Sequence, residues 1–221
     1  MDFFSMIIRF FQDGGYFMYP IAIVLVFGWA IALERWFFLT TSKVSNRKAF
    51  DTLMPLVKRK DFSAIAATVK GSKTPMHLIV GAGISRLGVQ QRRDEIEMAM
   101  EERVMEATPR IQRRTAYLGV LANSATLLGL LGTIMGLIAA FEAVAGADPA
   151  EKATLLAQSI SIAMNTTAFG LIAAIPLLLV HSFLQHKTAE VIDSLEMASV
   201  KVLNMIGDMQ KTATKSRAGD A

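Results

Sequence analysis

Charged residues vanish from this chain three times. Tyr16 to Leu33 carries none before Glu34–Arg35 interrupts, Thr115 to Phe141 lies uncharged between Arg114 and Glu142, and Ala153 to Gln185 lies uncharged between Lys152 and His186–Lys187. A bilayer core takes about 20 mostly apolar residues of helix. The pattern therefore predicts three transmembrane helices, over 16–40, 115–141 and 153–186. The first is not a signal peptide, because its exit, ALERWFFLTTSK, has no small-x-small cleavage site.

Between the spans the period is helical. Over 41–114, Pro55, Gly71 and Pro75 are expected to divide the segment into short helices and one long one, since Val89, Ile96, Met100 and Val104 share a face. The long helix is expected to run from about residue 80 into span two, to about residue 142, with a kink at Pro109. Span three is expected to continue as a helix over 187–210, ahead of a disordered tail at 211–221. Residues 1–15 read as a short interfacial helix, with Phe3, Phe4, Ile7, Ile8 and Phe11 on one side, or as a frayed apolar end. A loop over 142–152 joins spans two and three. The fold class that follows is an all-α integral membrane protein whose second and third spans extend into long cytoplasmic helices.

Charge adds an orientation. The segment 41–114 holds 15 of the chain's 23 basic residues, while only Arg9 precedes span one and only Lys152 lies between spans two and three. Basic residues stay cytoplasmic, so the N-terminus and the 142–152 loop are expected outside, and 41–114 and the C-terminus inside. That topology accounts for the net charge of +4 better than nucleic-acid binding does, because 41–114 is also acidic at Asp51, Asp94 and Glu101. Composition then narrows the chemistry. With 52% apolar residues, 19% charged and no cysteine, the chain is no disordered segment, disulfide scaffold or thiolate enzyme. It has no G-x-S-x-G or H-E-x-x-H, and GLLGTIMG (129–136) lacks the lysine of a phosphate loop. His181 and His186 are spaced wrongly for a shared metal on a helix. No catalytic residue, cofactor or metal is expected.

The informative feature is a stripe. In span two, Thr115, Gly119, Ala122, Thr126, Gly129, Thr133, Gly136 and Ala140 recur at three and four residues, and all are small. Span three matches it with Ser159, Ala163, Thr166/Thr167, Gly170 and Ala174, while Ser161 and Asn165 lie nearly opposite. Span one, richer in bulky residues, is expected to face lipid. Two readings of the stripes stand: close packing of helices, or a pore lined by hydroxyls that receives another helix. No Asp, Glu, Lys or Arg lies inside span two or span three, although ion pathways usually contain an ionisable residue within the membrane. An acid would have to come from another chain.

The strings GGYFMYPIAIVLVFGWAIALERWFFL (14–39), NSATLLGLLGTIMGLIAAF (123–141) and SISIAMNTTAFGLIAAIPLLLVHSF (159–183) resemble the MotA/TolQ/ExbB family of ion-channel subunits, nearest its ExbB/TolQ branch. The resemblance implies a homo-oligomer, a pentamer in this branch, in the bacterial inner membrane. Its central pore would hold single-span partners of the ExbD/TolR type, which supply an aspartate. Cation flow, of protons or sodium, would drive work on the cell envelope through a TonB- or Tol-like load. It also implies that Thr133 and Thr167 bracket the ion path, with Thr166, Asn165, Thr126 and Ser159 as further pore-lining candidates. Gly129, Gly136, Ala140, Ala163, Gly170 and Ala174 would pack the partner helix. Many ExbB-like members carry Glu five residues before the second threonine, where this chain has Ile162. The rival expectation is a non-conducting oligomeric scaffold for an envelope signalling or secretion complex; a membrane enzyme has no residues to support it.

Overall fold

The computed structural model describes residues 10–11, 14–87 and 92–219, with side chains described as far as Asp208. Apart from Phe10 and Phe11, the expected interfacial helix over 2–12 lies outside the described residues. Among the described residues from Gly14 on, six helices occur in order: α1 (Met18–Lys58), α2 (Phe62–Val69), α3 (Pro75–Leu87), α4 (Arg93–Gln112), α5 (Thr115–Ala145) and α6 (Lys152–Gly219). No strand occurs among the described residues. Three stretches are long and apolar enough to cross a membrane: α1, the α4–α5 run and α6. The chain divides into two compact units, one of residues 1–35 and 114–184, the other of 36–113 and 185–221.

The core follows a 3.5-residue period. On α1 the buried positions are Met18, Ile21, Ala32, Arg35, Leu39, Asn46, Ala49, Leu53 and Val57, separated by threes, fours and their sums. On α6 they include Ala163, Thr166, Ala173, Leu177, Leu184, Thr188, Val191, Leu195, Ala198 and Val202. Such alternation keeps one seam of a long helix facing its neighbours. The same spacing appears within each of the two units.

In the first unit, Ile21, Val24 and Leu25 of α1 meet Ala125 and Leu128 of α5 and Phe169, Ala173 and Ala174 of α6. Gly28 is a notch for Leu177: a Cβ placed there would lie 2.7 Å from the leucine methyl carbons. Span one therefore does not simply face lipid, as expected. One side buries Ile21 and Gly28, while Ile23, Val26 and Phe27 remain exposed on the other. Before α1, the rings of Phe10 and Phe11 stand edge-on to Phe169, at centroid distances of 6.3 and 5.7 Å.

In the second unit, Asn46 of α1 is buried, and its carboxamide oxygen accepts from Met76 N at 3.3 Å, in the first turn of α3. Pro75 has no N–H there, so one tertiary bond serves an orphan donor of that turn. Asp61 caps α2 by accepting from Ala64 N at 3.0 Å. That backbone bond, with a second from Ser63, holds its carboxyl below the usual carboxylate range. The Lys43 ammonium bonds Glu190 of α6 and likewise lowers the pKa of that carboxyl.

The segment breaks at Gly71, with φ +84°, and a new helix begins at Pro75, as expected, but Pro55 and Pro109 end no helix. Pro55 lies inside α1, and the chain turns only after Lys58, at Lys60 with φ +58°. Proline removes a single donor, and buried Leu53 and Val57 hold the helix on either side of it. Pro109 lies inside α4, and Arg113 N still reaches its carbonyl at 3.0 Å. The long helix expected from residue 80 to 142 is instead interrupted at Arg113–Arg114, where Arg114 adopts φ +69°. An ion pair to Glu34 at 3.4 Å holds its side chain. At the far end α6 is helical to Gly219, across most of the tail expected to be disordered. No proline follows Pro176, and adding residues to a helix already nucleated costs little.

Candidate functional site

The buried seam of α5 shares Thr115, Ala122, Gly129 and Ala140 with the sequence stripe and runs one residue off it elsewhere. The buried positions of α5 are Thr115, Leu118, Ala122, Ala125, Gly129, Gly132 and Ala140. Thr126 and Thr133 sit one step off this seam; Thr126 is exposed and Thr133 half-buried. On α6 the doublet splits in the same way. Thr166 belongs to the seam at 2% exposure, and Thr167 lies beside it, half-buried.

Glycines set the distance between α5 and α6. A Cβ on Gly170 would lie 2.8 Å from the Ala125 carbonyl oxygen and 3.0 Å from the Gly129 Cα. A Cβ on Gly136 would lie 2.7 Å from that of Ala163. Backbone contact of this kind needs residues without side chains. Gly129, Gly136, Ala140, Ala163, Gly170 and Ala174 were expected to face a partner's helix. In this chain Gly129, Gly136, Ala163 and Gly170 lie at the α5–α6 contact, and Ala140 and Ala174 are buried.

The close approach brings two hydroxyls together. Thr133 Oγ1 and Thr167 Oγ1 are hydrogen-bonded to each other. Both also reach the Gly129 carbonyl, Thr133 at 3.2 Å and Thr167 at 2.9 Å. A hydroxyl has one proton and two lone pairs. If one threonine donates to the other and the second donates to the carbonyl, both protons are used while oxygen lone pairs remain. The pair therefore presents acceptors, suited to a cation or to a protonated carboxyl group.

The other candidates lie apart from this pair. Thr166 donates to the Gly14 carbonyl at 2.6 Å and lies within reach of the Ile162 carbonyl at 2.9 Å. Its hydroxyl ties α6 to the turn before α1, and its burial removes it from any pore-lining surface. Asn165 and Ser159 are half-buried, with no hydrogen bond to the threonine pair. Ile162 faces Gly15, where an added Cβ would lie 3.2 Å from its Cγ2. At the opposite end of the seam, His181 Nδ1 bonds the Thr115 carbonyl at 3.0 Å and the ring covers Gly119. The Thr115 hydroxyl is itself buried without a partner. Sequence reasoning set His181 aside because its spacing from His186 does not suit a shared metal. Its place opposite Gly119 on the same seam is the signal that marks it.

Comparison with known proteins gives a consistent picture. The model of the MotA/TolQ/ExbB proton channel family matches residues 71–197. The chain is similar to a putative biopolymer transport protein ExbB homolog of Methanothermobacter thermautotrophicus, 27% identical over 199 residues, covering 89% of this chain and 69% of the relative. Similarity to the biopolymer transport protein ExbB of Pseudomonas putida is 25% over 196 residues, covering 86% and 58%. With the Tol-Pal system protein TolQ of Haemophilus influenzae it is 35% over 72 residues, covering 33% and 31%.

Proposed function

The chain belongs to the MotA/TolQ/ExbB proton channel family, and from that premise we propose that it is an ExbB/TolQ-like motor subunit of the inner membrane. In this reading, copies of the chain form a ring, a pentamer, around a pore. The ring holds single-span partners of the ExbD/TolR type, and cation flow past the partner's aspartate is converted to work on the cell envelope, as in biopolymer transport.

The observation that carries the reading is the Thr133–Thr167 pair on the shared Gly129 carbonyl. Acceptor oxygens placed between two spans that hold no Asp, Glu, Lys or Arg suit an ion or proton delivered by another chain. A partner carboxyl, protonated on one side of the membrane, can donate to these oxygens. Once ionised it would draw a cation to the same place, and hydroxyls serve a proton or a sodium ion alike. Thr133 and Thr167 are assigned to the ion path, with Thr126 exposed on the same side of α5. Asn165 and Ser159 are secondary, and Thr166 has a structural role. The N-terminus is placed outside and the second unit in the cytoplasm.

The test is co-reconstitution with the single-span partner in vesicles, under an imposed proton or sodium gradient. Thr133→Val and Thr167→Val should each abolish partner-dependent flux, and Thr133→Ser should retain it. Unchanged flux in both valine variants would remove the ion-path assignment. The closed Gly129–Gly170 contact also suits a purely structural scaffold, which would show the same ring with no flux in the unmodified chain.

A further inference from the structure

The second unit carries a groove of about 480 Å³ between α4 and α6. Its rim holds three carboxylates, Glu97 and Glu101 of α4 and Glu196 of α6, and its apolar lining includes Met105, Val200 and Leu203. No Lys or Arg lines it, and none pairs with these three acids among the described residues. Met105 and Val200 are 63% and 55% exposed. Apolar surface of this extent ringed by one sign of charge fits an occupant that is apolar at its centre and basic at its edge.

Such a surface exists on the same chain. Asn46, Ala49 and Leu53 form the core-facing side of the lower half of α1. At 100° per residue, Val44, Arg47 and Lys48 fall on the side turned away from them. Val44 is exposed, as are both cations, and neither cation has an acid partner among the described residues.

The two surfaces lie at the same height. The Lys43–Glu190 ion pair aligns α1 with α6, and Arg93 bonds Asn204 at 2.7 Å, aligning α4 with α6. At 1.5 Å per residue, Glu196 and Glu101 both fall about 9 Å beyond the Lys43–Glu190 level, and Arg47 and Lys48 about 6–8 Å beyond it. A closed ring relates its subunits by rotation without rise, so surfaces that meet across a head-to-tail contact must share a height.

We infer that the occupant of the α4–α6 groove is the α1 face Val44–Arg47–Lys48 of a second copy of this chain. This inference rests on the ring of the proposed function and adds its cytoplasmic interface. Val44 enters beside Met105, and the two cations meet Glu101 and Glu196.

The absence of cysteine makes the test direct. Arg47→Cys and Glu101→Cys are introduced together into the full chain in membranes and treated with a short bismaleimide. The expected result is a ladder of covalent multimers on a denaturing gel, with either single variant alone giving none. In a second arm, Glu101→Arg should lower the ring fraction at least tenfold by native mass measurement, and Arg47→Glu in the same chain should restore it. A ring without the ladder, a cross-link confined to the monomer or formed with a different protein, or a failed charge-swap rescue overturns the inference while leaving the ring intact. Absence of any ring in the unmodified chain refutes the oligomer reading itself, and the inference with it.

Discussion

A methyl group added at Gly170 meets backbone, whereas one added at Gly28 meets the movable end of Leu177. Gly170→Ala must therefore separate α5 from α6, while Gly28→Ala needs only a rotamer change. The expected loss is about 1–3 kcal/mol for Gly170→Ala and clearly less for Gly28→Ala, read as unfolding midpoints in detergent. Gly170→Ala should also lower partner-dependent flux, because separating the helices parts Thr133 from Thr167. Thr166→Val retains shape but leaves the Gly14 carbonyl without its donor. It should cost roughly 1 kcal/mol with flux largely intact, in contrast to Thr167→Val, its neighbour in sequence. That contrast was only half legible in the sequence. The doublet was visible, but a one-residue difference in seam register decides which hydroxyl is buried, and hydrophobicity gives no signal among Gly, Ala and Thr.

At the scale of elements, the helices start and stop where tertiary contacts allow. The Asn46 bond to the first turn of α3 comes from 30 residues away in sequence. Asn46→Ala would leave a buried N–H unpaired at a cost of ~1–2 kcal/mol. Hydrogen exchange should then show α3 opening more readily than α4. The same helix carries a pH dependence. His77 is hydrogen-bonded through Nδ1 to Ser72 Oγ at 3.0 Å, and burial lowers its pKa from the ordinary 6.5. The unfolded chain then takes up the proton first, so the stabilising contribution is complete above pH 6.5 and is lost as pH falls through that value. Thermal unfolding of the intact protein between about pH 8 and pH 5 should show this slope, and His77→Gln should flatten it. Prolines misled the sequence reading at this scale. Pro55 and Pro109 each remove one donor from helices held by buried neighbours, and the chain actually turns at Lys60 and Arg114, both at positive φ.

For the whole molecule, the apolar stretches and the family fit a multi-pass membrane protein of the channel-subunit type. Orientation is the property most open to direct measurement. A single cysteine at Ala147 in the α5–α6 connection should react from outside with a membrane-impermeant maleimide in intact cells. One at Ser63, in the first turn of α2, should react only after the membrane is opened. The reverse pattern would place the basic segment outside and refute the proposed topology.

Long uncharged runs by themselves determined that this chain has three stretches long and apolar enough to cross a membrane. Hydration of charge is costly enough to lose that its absence over such lengths has few other causes. The glycine- and threonine-rich strings in the second and third spans determined the family. Only the tertiary structure decided what those small residues do. Whether a glycine faces lipid, a partner or its own neighbouring helix depends on helix rotation, which is read from the buried seams within the spans. Those seams bury Thr166 and bring Thr133 and Thr167 onto one carbonyl, and those of the second unit leave an acidic groove and a basic helix face at one height.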